Sequence, residues 1–400
     1  MRHFDYLSTG QRSQIFCVPP RRLSRDAPAS TLALALGATL YSPGTRRDLA
    51  DDSRRAASIG TTSQVWDLED AVPHEAVPLA QGNVVQALRD LGDGERLPLL
   101  FVRVRSPQQL VDITRQAGDG ARHLSGFVLP KFRSGDEGGQ WLSALDAARD
   151  QSGVRLFAMP VLEHEELAWK ESRTEHLLAV RALLDSARDR VLAVRVGGTD
   201  LSGLFGLRRD VETTIWDVAV VRDMLSDVVN VLGRRGAYPI SGPVWEHFAS
   251  SDRLFRSRLR ETPFERTRNL GLRAQLVRDD VDELIREVVL DRANGLSGKT
   301  VIHPTHVSVV NALQAVPVEE HEDALGVLSA REVGGAVRSP SGTRMNEMGP
   351  HGLWAEQVVA RAAVYGVLAA PDGVVTLLDA GFRAAQRAYG TRTPTPVLAP

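Results

Sequence analysis

LFAMPVLE (residues 156–163) and VLAVRVGGTD (residues 191–200) each lead a continuous apolar run into a carboxylate. Such runs, rich in β-branched residues, are typical of strands buried on both faces, here Leu156–Leu162 and Val191–Val196. Six further runs share this character, with stretches of helical apolar spacing between them: Ala38–Ser42, Gln64–Leu68, Leu99–Val104, Gly126–Lys131, Ala237–Ile240 and Thr300–His303. Eight strands alternating with helices over about 300 residues predict the α/β class and a (β/α)8 TIM barrel.

The alternative architecture is an open doubly wound sheet. That fold would carry a glycine-rich turn after an early strand, and no G-x-G-x-x-G motif occurs there. The barrel is therefore the favoured fold.

Chargeable residues follow six of the predicted strands. In a barrel these side chains project around the rim at the carboxyl ends of the strands, where active sites are built. They are Asp67, Glu69, Asp70, Arg103, Arg105, Lys131, Glu163, Asp200 and His303. We therefore expect the functional site at this rim.

Composition excludes several classes of protein. The 48 basic and 50 acidic side chains nearly balance over 400 residues, which argues against a nucleic-acid partner. No apolar run approaches the roughly 18–20 residues of a membrane helix, and the N-terminus does not resemble a signal peptide. Cys17 is the single cysteine, so no intrachain disulfide can form. The sequence predicts a cytoplasmic protein with no membrane partner.

Three segments are expected along the chain. Residues 1–30 are rich in Arg, Ser and Pro and are predicted to be partly irregular, and residues 31–317 would form the barrel. Residues 318–400 would form a helical arm that packs on the barrel or on a neighbouring subunit. The arginine-rich stretch 246–280 is predicted to be an enlarged loop between the last two strands.

Glu163 and Asp200 end neighbouring predicted strands and can converge on one point above the barrel. Two carboxylates with waters and a chelating substrate make a typical Mg²⁺ site, and the glycines of Gly197-Gly198-Thr199-Asp200 permit close approach. Alternatively, Glu163 pairs with an arginine and Asp200 caps a helix. Arg103 either binds a carboxylate or enolate oxygen, or forms a salt bridge with the acids at the rim.

The segment ANGLSGKT (residues 293–300) is close to a phosphate-binding P-loop. A P-loop runs from a strand into a helix, whereas this segment follows a helix and enters a strand, which argues against nucleotide binding. Lysine occurs only at positions 131, 170 and 299, so each retained amine is of interest. His303, at a strand end, is either a substrate contact or a structural histidine.

Seven motifs taken in order resemble the citrate lyase β-subunit-like branch of the HpcH/HpaI aldolase superfamily, over about residues 38–325. They are YSPGTR (41–46), WDLEDAV (66–72), VRV (102–104), LPK (129–131), PVLE (160–163), GGTDL (197–201) and GKTVIHP (298–304). The chain looks most similar to the TIM-barrel C–C bond lyases associated with tellurium-resistance gene clusters.

This resemblance implies a Mg²⁺-dependent lyase or aldolase, with Mn²⁺ as the alternative ion, that acts on an oxo-acid or β-hydroxy-acyl substrate through a metal-stabilised enolate. It implies Glu163 and Asp200 as metal ligands and Arg103, Glu69 and Asp70 as catalytic residues. The implied substrate-binding residues are Arg46, Arg103, Arg105, Lys131, Gly198, Thr199 and His303. Family members typically form trimers or hexamers whose C-terminal helices reach a neighbour.

Three positions depart from the family pattern. Arg105 replaces an asparagine, His164 replaces a threonine, and Glu347 is the nearest match to an aspartate given to a neighbour's site. The substrate is expected to be a small carboxylate, a CoA thioester or a phosphorylated compound, and a multiply anionic one would suit Arg46, Arg103 and Arg105.

Two other functions are compatible with the sequence. Lys131 could act as the amine of a Schiff-base aldolase. Alternatively, the chain could be a non-catalytic, ligand-sensing barrel. Within the metal mechanism, His164, Glu69 and a metal-bound hydroxide are all candidates for the general base.

Overall fold

The computed structural model describes residues 1–248, 281–332, 335–339, 342 and 344–390. Eight parallel strands, β2 to β9, close into a barrel in sequence order. The strands are β1 (Phe16–Val18), β2 (Ala38–Pro43), β3 (Ser63–Asp67), β4 (Leu99–Arg103), β5 (Leu124–Leu129), β6 (Phe157–Leu162), β7 (Val194–Val196), β8 (Ile240–Trp245), β9 (Lys299–Val301), β10 (Val316–Pro317), β11 (Ala336–Arg338), β12 (Met345–Glu347) and β13 (Val367–Leu368). The predicted (β/α)8 barrel is confirmed.

Helices surround the barrel and build the C-terminal segment. They are α1 (Thr9–Ile15), α2 (Ala29–Ala35), α3 (Leu49–Ser58), α4 (Val77–Asp90), α5 (Pro107–Ala117), α6 (Gly135–Ser152), α7 (Glu165–Ala168), α8 (Lys170–Ser186), α9 (Gly198–Gly203), α10 (Ala219–Leu232), α11 (Asp282–Ala293), α12 (Pro304–Ala312), α13 (Val318–Ser329), α14 (Gly352–Tyr365) and α15 (Gly373–Tyr389). Among the described residues, no helix offers the continuous apolar length that a bilayer crossing would need.

Seven of the eight predicted strands lie within a few residues of their observed positions, but the seventh is displaced. The sequence placed it at Ala237–Ile240, whereas β8 begins at Ile240 and continues through Gly242. In the sequence, Gly242 looks like a residue that ends a strand, but in the structure it lies inside β8 and has a packing role. A Cβ at Gly242 would lie 2.7 Å from the Asp291 Oδ2 atom, so a bare backbone is needed beside this buried carboxylate.

A buried ionic cluster joins β9 to α11 beneath this contact. Lys299 Nζ lies 2.6 Å from Glu287 Oε1 and 2.8 Å from Asp291 Oδ2, and the lysine is fully buried. Arg209 Nη1 lies 2.6 Å from Glu287 Oε2, and the Trp216 indole donates to Asp291 Oδ1 at 2.8 Å. The Lys299 amine of the GKT sequence is therefore paired with internal carboxylates, which agrees with the rejection of a P-loop.

The chain termini are tied together outside the barrel. β1 pairs antiparallel with β13, which pairs parallel with β10. Within the first 30 residues, apolar side chains such as Phe4, Ile15 and Phe16 are buried despite the polar composition of this segment. In the C-terminal segment, α14 contacts α2, and α15 contacts α3 and α12.

These contacts place the arm against its own barrel. Packing on a neighbouring subunit, and a trimeric or hexameric state, stay predictions. The enlarged loop predicted at 246–280 lies outside the described residues from position 249 onward.

Replacing Lys299 by Met should lower the free energy of unfolding by about 3–5 kcal/mol, because Glu287 and Asp291 would lose a buried counter-charge. Denaturant unfolding followed by circular dichroism measures the loss. The control is Lys170→Met, at an exposed position of α8, where we expect the free energy of unfolding to change by no more than about 0.5 kcal/mol. Equal effects of the two substitutions would contradict a stabilising role for the cluster.

Candidate active site

A cavity of about 840 Å³ opens at the carboxyl ends of the barrel strands. It is lined by residues from seven of the eight barrel strands or the loops after them, including Gly197–Asp200 after β7. Six residues predicted for the site lie on its wall: Asp70, Arg103, Glu163, Gly198, Thr199 and Asp200. These six residues of the predicted rim site therefore share one open cavity.

Glu163 follows β6 and is 5% exposed. Its Oε1 atom accepts a hydrogen bond from the Lys131 backbone N–H at 2.8 Å, and no described arginine or lysine forms an ion pair with it. Burial, and secondly the charge of Asp200, raise the pKa of Glu163 to about 8. Gly197 makes room for this carboxylate, since a Cβ there would lie 2.0 Å from Glu163 Oε2.

Asp200 lies in the first turn of α9, is half-buried, and has no ion-pair partner in the described part of the chain. Its side chain does not cap the helix. Burial and then the charge of Asp70 raise the pKa of Asp200, against the smaller opposing effects of Lys131 and Arg103. Neither structural alternative for Glu163 and Asp200 is therefore observed.

The charge of Asp200 destabilises the charged form of the Glu163 carboxylate. A hard divalent cation between them would offset both burial and repulsion, and oxygen donors suit such an ion. Across the described residues, no three His, Cys, Asp or Glu side chains form a metal-binding group. The protein would thus supply two ligands and leave the other positions to water or substrate.

Arg103, at the end of β4, is held in an ionic network. Its Nε and Nη2 donate to the two carboxylate oxygens of Asp67, both at 2.6 Å. Its Nη1 lies 2.9 Å from Glu69 Oε2 and 3.1 Å from Asp70 Oδ2, and the guanidinium carbon is 5.4 Å from the Tyr41 ring centroid. Burial opposes the charge, but Asp67 outweighs it and the pKa of Arg103 is raised.

Glu69 and Lys131 stand behind the cavity wall. Glu69 Oε1 accepts from Lys131 Nζ at 2.8 Å, and burial raises the pKa of Glu69. Although burial lowers the pKa of Lys131, its hydrogen bond to Glu69 and the nearby Asp70 raise it overall. A Schiff-base lysine needs the opposite shift, so the imine mechanism is disfavoured.

The backbone of Lys131 matters more to the site than its amine. Its φ of +49° is unusual for a residue with a side chain, and this conformation directs its N–H to Glu163.

Arg46, Arg105 and His303, three of the predicted substrate contacts, do not line this cavity. The Arg105 guanidinium donates through Nε and Nη2 to the backbone carbonyls of Leu68, Glu69 and Val72, so these donors are already occupied. Arg46 pairs with Asp52 in an adjoining cavity of about 80 Å³, which shares Tyr41, Ser42, Pro43 and Ile302 with the main cavity.

His303 lines that smaller cavity as well. It contacts Thr305 Oγ1 through Nδ1 at 2.7 Å and stacks on the Phe248 ring, with the two centroids 5.7 Å apart. Burial lowers its pKa to about 4, so it is neutral at physiological pH. The structural interpretation of His303 is therefore the better supported.

Two further candidates lie away from the main cavity. His164 contacts the Lys131 carbonyl and the Arg133 side chain, and burial lowers its pKa. Glu347 lies in β12 and does not line the main cavity of its own chain. Its backbone N–H donates a hydrogen bond to His351. A contribution of Glu347 to a neighbour's site stays a prediction.

Sequence reasoning missed Arg195, which lies within β7 and faces the cavity. The available signal was its position as the one charged residue in the apolar run Val191–Val196. Asp67 was recognised only as one of the rim acids, whereas it orients Arg103 and also accepts the Glu69 and Ala71 backbone N–H groups.

Comparison with known proteins agrees with this architecture. The family model described as the C–C bond lyase of the TIM-barrel fold matches residues 30–367. A search of curated proteins finds no significant match. Likeness to solved structures extends over most of the chain, at sequence identities that show the fold alone.

Three solved structures illustrate the likeness. CitE of Mycobacterium tuberculosis, in complex with magnesium, acetoacetate and coenzyme A, is 21% identical, with 82% of this chain and 97% of that chain covered and a TM-score of 0.52. A citrate lyase of Burkholderia xenovorans LB400 is 17% identical, with 86% of this chain and 95% of that chain covered and a TM-score of 0.57. A malate synthase of Haloferax volcanii is 14% identical, with 78% of this chain and 86% of that chain covered and a TM-score of 0.51.

The family match spans the whole barrel and extends into the C-terminal arm as far as β13. The resemblance drawn from the sequence motifs is thereby confirmed, while the association with tellurium-resistance genes stays a prediction. The chain belongs to the family of C–C bond lyases of the TIM-barrel fold.

Proposed function

We propose that the protein is a Mg²⁺-dependent lyase or aldolase that breaks or forms a carbon–carbon bond next to a carbonyl group, in an oxo-acid or β-hydroxy-acyl substrate. The observation that carries this proposal is the pair Glu163 and Asp200, two carboxylates on one cavity wall without a cationic partner among the described residues. The C–C bond lyase family supplies the reaction class.

The residues present fit magnesium. This ion prefers oxygen ligands, is often held by one or two carboxylates, and keeps several waters. Glu163 and Asp200 would hold it, and Mn²⁺ would suit the same donors. When bound, the ion supplies Lewis-acid polarisation of the carbonyl and carboxylate oxygens of a substrate. The similar mycobacterial CitE structure contains magnesium in the same fold.

Arg103 would stabilise the negative charge that develops on the substrate as the bond breaks. Asp67 fixes the guanidinium through two hydrogen bonds, so the group is preorganised. Its third contact, to Asp70 at 3.1 Å, involves a carboxylate that is half exposed and therefore weakly held. A substrate oxygen can take the place of Asp70 on Nη1.

The cavity accommodates more than a small acid, since its volume is about 840 Å³. A CoA thioester, a phosphorylated compound and a simple carboxylate are all candidates on size. Glu69 and Lys131 would contribute indirectly, because their mutual hydrogen bond stands behind Arg103 and Glu163.

Neutralising either proposed ligand should weaken Mg²⁺ binding. We expect Glu163→Gln and Asp200→Asn each to raise the dissociation constant at least tenfold by calorimetry, because each removes an anionic oxygen while keeping the shape. The melting temperature without metal should stay the same or rise, since mutual repulsion is relieved.

The matched control for this pair is Glu165→Gln, at an exposed acid next in the chain, which should leave the affinity within twofold. Unchanged Mg²⁺ affinity in both ligand variants would overturn the metal assignment.

Adding a methyl group at Gly197 should displace Glu163. Gly197→Ala would place Cβ 2.0 Å from Glu163 Oε2, so we expect at least a tenfold loss of Mg²⁺ affinity by calorimetry. Gly203→Ala is the control, because no atom lies within 4 Å of a Cβ there. Equal affinities in the two variants would show that Glu163 does not need the space that Gly197 leaves.

Enolate formation is measurable without knowing the physiological substrate. The wild-type protein with Mg²⁺ should accelerate exchange of the pyruvate methyl protons with D₂O, followed by NMR, and EDTA should stop it. Arg103→Lys keeps the charge but loses the two-point contact with Asp67, so the exchange rate should fall about 10²–10³-fold.

Arg222→Lys, at an exposed position of α10, is the control for this substitution. The variant should catalyse the proton exchange at the wild-type rate. Exchange that survives EDTA or the Arg103 substitution would argue against this mechanism.

A further inference from the structure

Arg195 is an arginine in the interior of the barrel. It lies on β7, is 2% exposed, and forms part of the wall of the main cavity. In the parallel register it pairs with Val161 of β6, two residues before Glu163. At about 3.3 Å per residue, Arg195 starts roughly 7 Å deeper in the barrel than Glu163.

The partners of Arg195 are neutral. Nη2 contacts Thr300 Oγ1, and Nη1 lies 3.4 Å from Thr39 Oγ1 and 3.9 Å from Met159 Sδ. The guanidinium carbon is 5.5 Å from the Tyr41 ring centroid. Among the described residues, no carboxylate comes within 4.0 Å of it. Two hydroxyls and an aromatic ring leave a full positive charge uncompensated in a buried place.

Comparison with the other buried arginines shows that this is unusual in the molecule. Arg173 lies 2.9 Å from an Asp227 carboxylate oxygen, and Arg209 lies 2.6 Å from Glu287. Both are buried to a similar extent as Arg195. Where this chain buries a guanidinium for structural reasons, it provides a carboxylate. At Arg195 it provides an opening to the cavity.

We propose that Arg195, with the Thr300 hydroxyl beside it, binds a second anionic group of the substrate, so that the substrate is a short acid with an anionic group at each end. This inference rests on the proposed function for the position of the oxo-carboxylate end, near Glu163 and Asp200. The second group, a carboxylate or a phosphate, points down into the barrel, where the planar guanidinium offers several donors.

The engagement of the other candidate arginines supports this assignment. Arg46 and Arg105 are turned to Asp52 and to backbone carbonyls, and Arg103 is held by Asp67 at the rim. Arg195 therefore remains as the buried cavity cation whose charge a ligand would neutralise. Tyr41, whose ring lies beside both Arg103 and Arg195, links the rim and the interior layer.

The test compares three 2-oxo acids that differ only at the far end: 2-oxobutyrate with a methyl group, oxaloacetate with a carboxylate, and 3-phosphonopyruvate with a phosphonate. Calorimetry with Mg²⁺ should show that the wild-type protein binds oxaloacetate or 3-phosphonopyruvate, or both, at least ten times more tightly than 2-oxobutyrate. The better of the two tails identifies the anionic group. In Arg195→Gln this preference should fall to within twofold.

Two variants serve as controls. Arg195→Lys keeps the charge without the planar fork and should retain part of the preference, which also guards against a folding defect in the Gln variant. Arg208→Gln removes the same charge at the exposed mouth of the cavity and should keep the wild-type preference. A preference that persists in Arg195→Gln, or that is absent from the wild type, overturns the inference.

Titration with Mg²⁺ alone separates this inference from the proposed function. Wild type and Arg195→Gln should bind the ion equally well. If the wild type binds no Mg²⁺, the proposed function fails, and succinate against butyrate in EDTA then decides the role of Arg195. Tighter binding of succinate that is lost in Arg195→Gln sustains the anion site, and equal binding of the two acids refutes it.

Discussion

The site depends on one unfavourable interaction, the burial of the Glu163 carboxylate beside the charge of Asp200. Removing an ion from water costs several kcal/mol unless a counter-charge or hydrogen bonds replace the solvent. In the described part of the chain, Glu163 receives one backbone N–H, from Lys131, and its pKa rises to about 8. Even this contact requires a positive φ at Lys131, and Gly197 must lack a side chain. Several local compromises thus serve a carboxylate that the fold itself does not need.

Other buried charges in the same chain are treated differently. Lys299 is fully enclosed but has two carboxylates within 3 Å, and Arg103 has three acids around it. Such neutralised clusters are internal structure, since breaking one leaves an unpaired ion. Against that pattern, the carboxyl groups of Glu163 and Asp200 and the guanidinium of Arg195 stand out, because none of them has an ion-pair partner among the described residues. Charges left uncompensated on a cavity wall are those that a ligand can neutralise.

Much of the fold could be predicted because the strands of a parallel barrel are apolar on both faces and end in polar residues at one rim. The same logic identified Glu163 and Asp200, whose positions follow directly from where β6 and β7 end. This reasoning failed at β8, because Gly242 looks like the end of a strand in the sequence but is required there by the nearby Asp291 side chain.

The arginines show where sequence reasoning stops. Arg46, Arg103 and Arg105 look alike in sequence, yet a long side chain reaches any acceptor within its radius, and the tertiary structure alone decides which. Arg105 turns to the carbonyls of the preceding loop, whereas Arg103 stays on the cavity wall. Arg195 was overlooked because an isolated charge in an apolar run carries no periodic signal, although burial within a barrel makes such a charge informative.

The site is built in two layers on two adjacent strands. Side chains alternate across a strand, so Arg195 and Gly197 face the same side of β7, with Glu163 opposite the glycine on the neighbouring chain segment. The outer layer holds the two carboxylates, and the inner layer holds the guanidinium. Because the described hydrogen bonds of Arg195 do not involve Glu163 or Asp200, a change at position 195 can alter the recognised tail without disturbing the acids. A barrel can therefore keep one bond-breaking chemistry while its interior residues set which acid enters.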